Sequence, residues 1–106
     1  MPRFQPANWP RNLALIESLA ALAEEAGTTA AQLALAWVLS RGEHVHVIPG
    51  TTNLQHLEDN HRAWALDLPQ DLLDAADALI NEATVAGHRY HDAIRPSIDT
   101  EEFEPA

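Results

Sequence analysis

Residues 30–39, AAQLALAWVL, would be apolar on nearly every side of a helix, so this chain must fold in a way that surrounds them. A surface helix needs one apolar stripe, whereas a helix that is apolar all round needs protein against most of its circumference. Thr29 followed three residues later by Gln32 is a capping-box pattern, which starts this helix at Ala30 and carries it to about Ser40. Upstream, Leu15, Ile16, Leu19, Leu22 and Ala23 recur on one face of a helix from about Pro10 to Ala26, with Glu24 and Glu25 on the other. Gly27 suits the residue just past its end.

The stretch VHVIPGTTNLQHLEDN at 45–60 changes period. Val45, Val47 and Ile48 read as a short strand, closed by Pro49, which cannot donate to a ladder. A helix from about Asn53 to Trp64 follows, with Leu54, Leu57, His61 and Trp64 on one face. Either Thr52 or Asn53 could cap it, and Thr52 with Gln55 makes a second capping box. A fourth helix, Pro69 to about Glu82, opens on proline and is expected to bury Leu72, Leu73, Ala76, Leu79 and Ile80. The strand-turn-helix order puts Pro49-Gly50-Thr51-Thr52 at the carboxyl end of a strand, where α/β proteins place ligands. Unpartnered N–H groups at a helix start carry partial positive charge, so such a corner suits an anion.

With 46% hydrophobic residues and four glycines, the chain has the composition of a soluble, folded, helix-rich segment. A formal net charge of -10 argues against a nucleic-acid partner and works against any anionic cofactor at long range. No charged-then-apolar leader and no apolar run near 18 residues is present, so neither export nor membrane insertion is expected and a cytoplasmic location is the default. The absence of cysteine excludes disulfides and thiolate metal sites. Six histidines raise the question of a metal site. His44 with His46, and His88 with His91, have chelating spacing, yet no third ligand is placed to complete either set, and no metal is expected. After Val85 the tail turns polar and acidic, and Glu101 to Ala106 are expected to be disordered.

NLALIESLAALAEEAGTTAAQLALAWVLSRG, then HVHVIPGTTNLQHLEDNHRAWALDLPQDLLDAADAL, then GHRY at 87–90 together resemble the C-terminal part of an NADP-dependent aldo-keto reductase, from about Arg3 to Asp99. The resemblance implies an α/β fold: the C-terminal fragment of a (β/α)8 TIM barrel, mostly helical with one short strand. It divides the chain into a leading segment at 1–9, barrel-derived residues at 10–83 and a tail at 84–106. Relatives commonly have Ser where Leu68 stands, so the fourth helix lacks that cap. A complete barrel of this kind takes about 250 residues, against 106 here. The family's Asp, Tyr, Lys and His tetrad is implied to lie upstream of anything present, so no catalytic residue is assigned. The chain has one tyrosine, Tyr90, and no lysine. MPRFQPANW reads as a continuation of family sequence, which leaves open an internal start, a truncated gene or the second piece of a split one.

What the resemblance implies for the corner is the adenosine half of an NADP (NADPH) site. Gly50, Thr51 and Thr52 would meet the phosphate, while Asp59 and Asn60, facing back toward the turn, would contact the adenine. His56 stands where relatives commonly carry an Arg that grips the 2′-phosphate. Arginine is always charged, whereas histidine, with a reference pKa of about 6.5, is mostly neutral at pH 7. The sequence therefore predicts a weaker preference for NADP over NAD than in Arg-bearing relatives, strengthening below about pH 6.5. The plain alternative for His56 and Asn60 is a solvent-facing helix residue. The implied partners are a nicotinamide cofactor and, only with the rest of a barrel, an aldehyde or ketone. The other class of reading is a non-enzymatic helical module that self-associates through apolar faces around Trp37 and Trp64, or complements a separate N-terminal barrel chain.

Overall fold

In the computed structural model, which describes residues 1–99, four helices are α1 at Trp9–Glu25, α2 at Ala30–Leu39, α3 at Leu54–Arg62 and α4 at Gln70–Leu79. Short 3-10 turns stand at Pro2–Phe4, Ala63–Ala65 and Arg95–Ser97. The expectation of disorder at Glu101 to Ala106 lies outside the described residues.

Helix α1 ends as its sequence dictates. Gly27, at φ 71, takes the left-handed conformation that a side chain would oppose. Thr28 N then reaches Ala23 O at 2.9 Å and Gly27 N reaches Glu24 O at 3.0 Å, a Schellman closure that satisfies two orphan carbonyls. The reversal swings α2 back against α1. At its start the Thr29 side chain accepts from Gln32 N while the Gln32 side chain accepts from Thr29 N, the capping box in full.

The core is where α1, α2 and α4 meet: Leu19 and Ala23, Leu33, and Leu73 and Ala76, ringed by half-buried Leu22, Trp37, Leu68, Leu72, Leu79 and Ile80. Leu33 is 0% exposed, but α2 is covered on part of its circumference only: Ala31 and Ala34 are exposed, so the expectation that it be surrounded is met on one side. Ile16, expected on the inner face of α1, is instead exposed, so the apolar stripe of that helix is wider than the surface that α2 and α4 cover. At the other end of α2, Arg41 lies over the Trp37 ring at 4.2 Å and approaches Asp77 of α4 at 3.8 Å. Both charged groups are solvated, so this pair adds little stability.

Three expectations need correction. Among the described residues there is no β-strand: 45–48 has no regular secondary structure. Its side chains still alternate, Val45 and Val47 half-buried, His46 and Ile48 exposed, as an extended chain dictates. What is missing is a neighbouring strand, without which extended backbone has no ladder to join. Second, Thr52 does not cap α3. Asn53 does, its side chain accepting from His56 N at 3.1 Å, while Gln55 turns to Asp59. Third, α4 begins one residue after Pro69, which is its N-cap and supplies no side-chain hydrogen bond, and it ends at Leu79.

Candidate functional site

The corner at 50–60 is built by a chain of short-range hydrogen bonds. Thr51 Oγ1 accepts from Asn53 N at 3.1 Å, and Asn53 Oδ1 accepts from His56 N, so each residue of the turn orients the next. The cap satisfies one of the four orphan donors of α3 and Leu57 N returns to Asn53 O at 3.0 Å. That leaves Leu54 and Gln55 N–H at the positive end of the helix, with no intrahelical acceptor available. Gly50, Thr51, Thr52 and His56 are all exposed, and a side chain added at Gly50 would meet nothing within 4 Å. An anion can therefore reach the backbone there.

Asp59 and Asn60 lie further along α3, both half-buried. The Asp59 carboxylate is engaged within its own helix: Gln55 Nε2 donates to it at 3.2 Å and Arg62 Nη1 at 3.1 Å. Among the described residues no hydrogen bond joins Asp59 or Asn60 to residues 50–52. The structure thus places Gly50, Thr51, Thr52 and His56 at the start of α3 and Asp59 and Asn60 in the last turn of the same helix, toward its other end. Arg62 also approaches Glu58 at 4.0 Å, so the arginine of α3 serves the helix's own acids at its far end. The corner has dipolar donors and hydroxyls but no arginine or lysine of its own.

This donor set suits a phosphate bound through N–H and O–H groups. It suits less well a dianion that needs a fixed positive charge. Among the described residues no group of three or more His, Asp or Glu could hold a metal ion, and His44 and His46 are both exposed. No helix of the described residues is long and apolar enough to cross a membrane.

Two residues that hold the site's surroundings were not legible as functional. Gln32 Nε2 donates to Asp59 O at 2.9 Å across 27 residues, tying α3 to α2. Asn12 ties the tail to the leading segment, donating to Arg3 O at 3.0 Å and to Ala86 O at 2.7 Å. The capping-box pattern marked Gln32, but its second partner is a tertiary contact. Asn12 carried no local signal.

The model of the Aldo/keto reductase family matches residues 1–81. The chain is 41% identical over 93 residues to the protein named "Probable aldo-keto reductase 1" of Glycine max, covering 88% of this chain and 27% of that protein. It is 33% identical over 89 residues to the aldo-keto reductase str7 of Strobilurus tenacellus, covering 84% of this chain and 26% of that protein. The chain thus spans about a quarter of the length of these relatives. No solved structure matches it.

Proposed function

Because the chain belongs to the aldo/keto reductase family, we propose that it carries the part of a nicotinamide-cofactor site that holds the adenosine phosphate of NADP. The observation that carries this reading is the open, Asn53-capped start of α3, with Thr51 and Thr52 beside two uncommitted backbone N–H groups. Gly50, Thr51 and Thr52 would hold the phosphate, His56 would stack on or lie against the nucleotide, and Asn60, with Asp59, would meet the adenine edge. Gln55 and Arg62 both donate to Asp59 Oδ1, which leaves the second carboxylate oxygen to meet the purine.

When bound, the cofactor supplies hydride for reduction of an aldehyde or ketone, the chemistry of the family. A chain with one tyrosine and no lysine cannot assemble an Asp, Tyr, Lys and His set within itself. What its own residues do is bind and orient: the α3 dipole and the Thr hydroxyls draw the phosphate to the helix start, and Asn53 keeps that start from fraying. Reduction then belongs to an assembly that includes the rest of a barrel, with a cytoplasmic setting as part of the same proposal. The test is titration of the full chain with adenosine 2′,5′-bisphosphate while amide resonances are followed. Saturable shifts centred on Thr51 to His56 support the reading, and shifts scattered over the surface or absent altogether refute it.

A second reading has its own observation. Ile48 is 95% exposed, and Leu54 and Leu57 of α3 and Trp64 of the 3-10 turn that follows it are exposed as well. Apolar surface of that kind marks association, with a second copy or with a complementing barrel chain. Sedimentation over a range of concentrations distinguishes a monomer from a defined oligomer.

A further inference from the structure

We propose that Gln32 is the positioning residue for α3, and with it for the nucleotide corner, because its one carboxamide is divided between two helices; the second half of that statement rests on the functional reading above. Gln32 is 8% exposed, the one buried polar side chain among the described residues. Its oxygen accepts from Thr28 Oγ1 at 2.8 Å and from Thr29 N at 3.3 Å, and its nitrogen donates to Asp59 O at 2.9 Å. The orientation of the amide is not open to choice. Thr29 N–H can only donate and the Asp59 carbonyl can only accept, so oxygen must face α2 and nitrogen must face α3.

Helix α3 depends on this bond more than a packed helix would. None of its nine residues is buried, so it has no apolar anchor of its own before Ala63, which is 3% exposed. Among the described residues the Gln32 to Asp59 bond is the one hydrogen bond between α3 and another helix. Asp59 O is one of the last four carbonyls of α3, which lack intrahelical donors, since Ala63 N turns to Asn60 O and His61 O. The geometry also brings the positive start of α2 to the negative end of α3. Rotating the amide to release α3 would take its oxygen from the cap of α2, so the two helices are held in register by one planar group. His56, Asp59 and Asn60 ride on the helix so held.

Gln32→Glu separates the two duties. A glutamate at this position of a capping box still accepts from Thr29 N, but it has no donor for Asp59 O and presents a negative charge to it. The full chain is studied by amide hydrogen exchange, unaltered, as Gln32→Glu and as Thr29→Ala. In Gln32→Glu, protection of the α3 amides falls at least ten-fold while α1 and the later turns of α2 keep theirs, and affinity for adenosine 2′,5′-bisphosphate falls at least five-fold. As the pH is lowered through the carboxyl range, about 4 to 6 for a buried glutamate, the protonated acid regains a donor and α3 protection recovers, which a purely structural loss would not show. Thr29→Ala lowers protection only at the start of α2. Undiminished α3 protection in Gln32→Glu overturns the proposal. Should that variant unfold entirely, the Gln32 carboxamide protons of the unaltered chain decide: slow exchange with a contact to Asp59 supports it, rapid exchange overturns it. If the unaltered chain binds no nucleotide, the functional reading falls, and the α3 protection still decides the role of Gln32.

Discussion

Asn12 and Ala86 hold each other by two hydrogen bonds, Asn12 Nδ2 to Ala86 O at 2.7 Å and Ala86 N to Asn12 Oδ1 at 2.8 Å, so a side chain on α1 pairs with the tail backbone as a strand would. The remaining Asn12 proton goes to Arg3 O at 3.0 Å, which uses both amide protons and joins three segments. Asn12→Ala strands these half-buried groups, at a cost of about 1–3 kcal/mol. Limited proteolysis is expected to cut between residues 84 and 99 much faster in that variant, with α1 to α4 still helical. Equal cutting rates would show that the tail is held by other contacts.

Gly87 is the tightest point of that junction. It sits at φ 83, and a side chain there would lie 2.6 Å from Asn8 Nδ2 and 3.0 Å from the Pro2 backbone carbon. The Asn8 amide can swing away, but the Pro2 backbone cannot without moving the leading segment. Gly87→Ala is expected to cost at least about 1 kcal/mol from conformation alone, and to lower the thermal midpoint. Gly27→Ala, at φ 71 with nothing within 4 Å, isolates the conformational part by comparison.

Leu33 is 0% exposed at the meeting point of the three core helices, and Leu33→Ala there should cost about 2–5 kcal/mol. For a domain with so small a core this is a large share of the 5–15 kcal/mol typical of folded proteins. Denaturant unfolding followed by circular dichroism measures it. Ile16→Ala, at an exposed residue of α1, is expected to change the midpoint far less.

Much of this arrangement is legible locally, and what is not has a common cause. The Gly27 closure and the Thr29 and Gln32 box depend on residues within a few positions of one another, so they can be read from the chain directly. The four helices fall within a few residues of where periodicity puts them. The strand at 45–48 is different, since a strand exists only through a neighbour, and the apolar pattern that announces it says nothing about whether that neighbour is present. The choice of Asn53 over Thr52 as cap depends on Thr51, whose hydroxyl takes Asn53 N and sets the turn. At the site, residue types point to the corner, while the bonds from Gln32 to Asp59, across 27 residues, and from Asn12 to Ala86, across 74, join segments far apart in sequence and leave no local trace.

His56 is exposed on the first turn of α3, and no basic side chain stands with it at the corner. His56→Arg supplies a fixed charge that can fork onto phosphate. The affinity ratio of 2′-phosphorylated to unphosphorylated adenosine nucleotide is expected to rise roughly ten-fold, about the 1.5–3 kcal/mol of a charged hydrogen bond less screening. The gain should shrink in high salt. A ratio unchanged at low salt would place the 2′-phosphate away from His56.

Asn53 Oδ1 caps α3 through His56 N at 3.1 Å, and Asn53→Ala is expected to lose about 1 kcal/mol of helix stability. The central claim is that this capped corner is a nucleotide site, and calorimetric titration of NADPH into the 106-residue chain tests it most directly. Saturable binding of one NADPH per chain, weakened in Asn53→Ala and in Asn60→Ala, is the expected result. A folded, helical, monomeric chain that takes up no NADPH at any accessible concentration would contradict it.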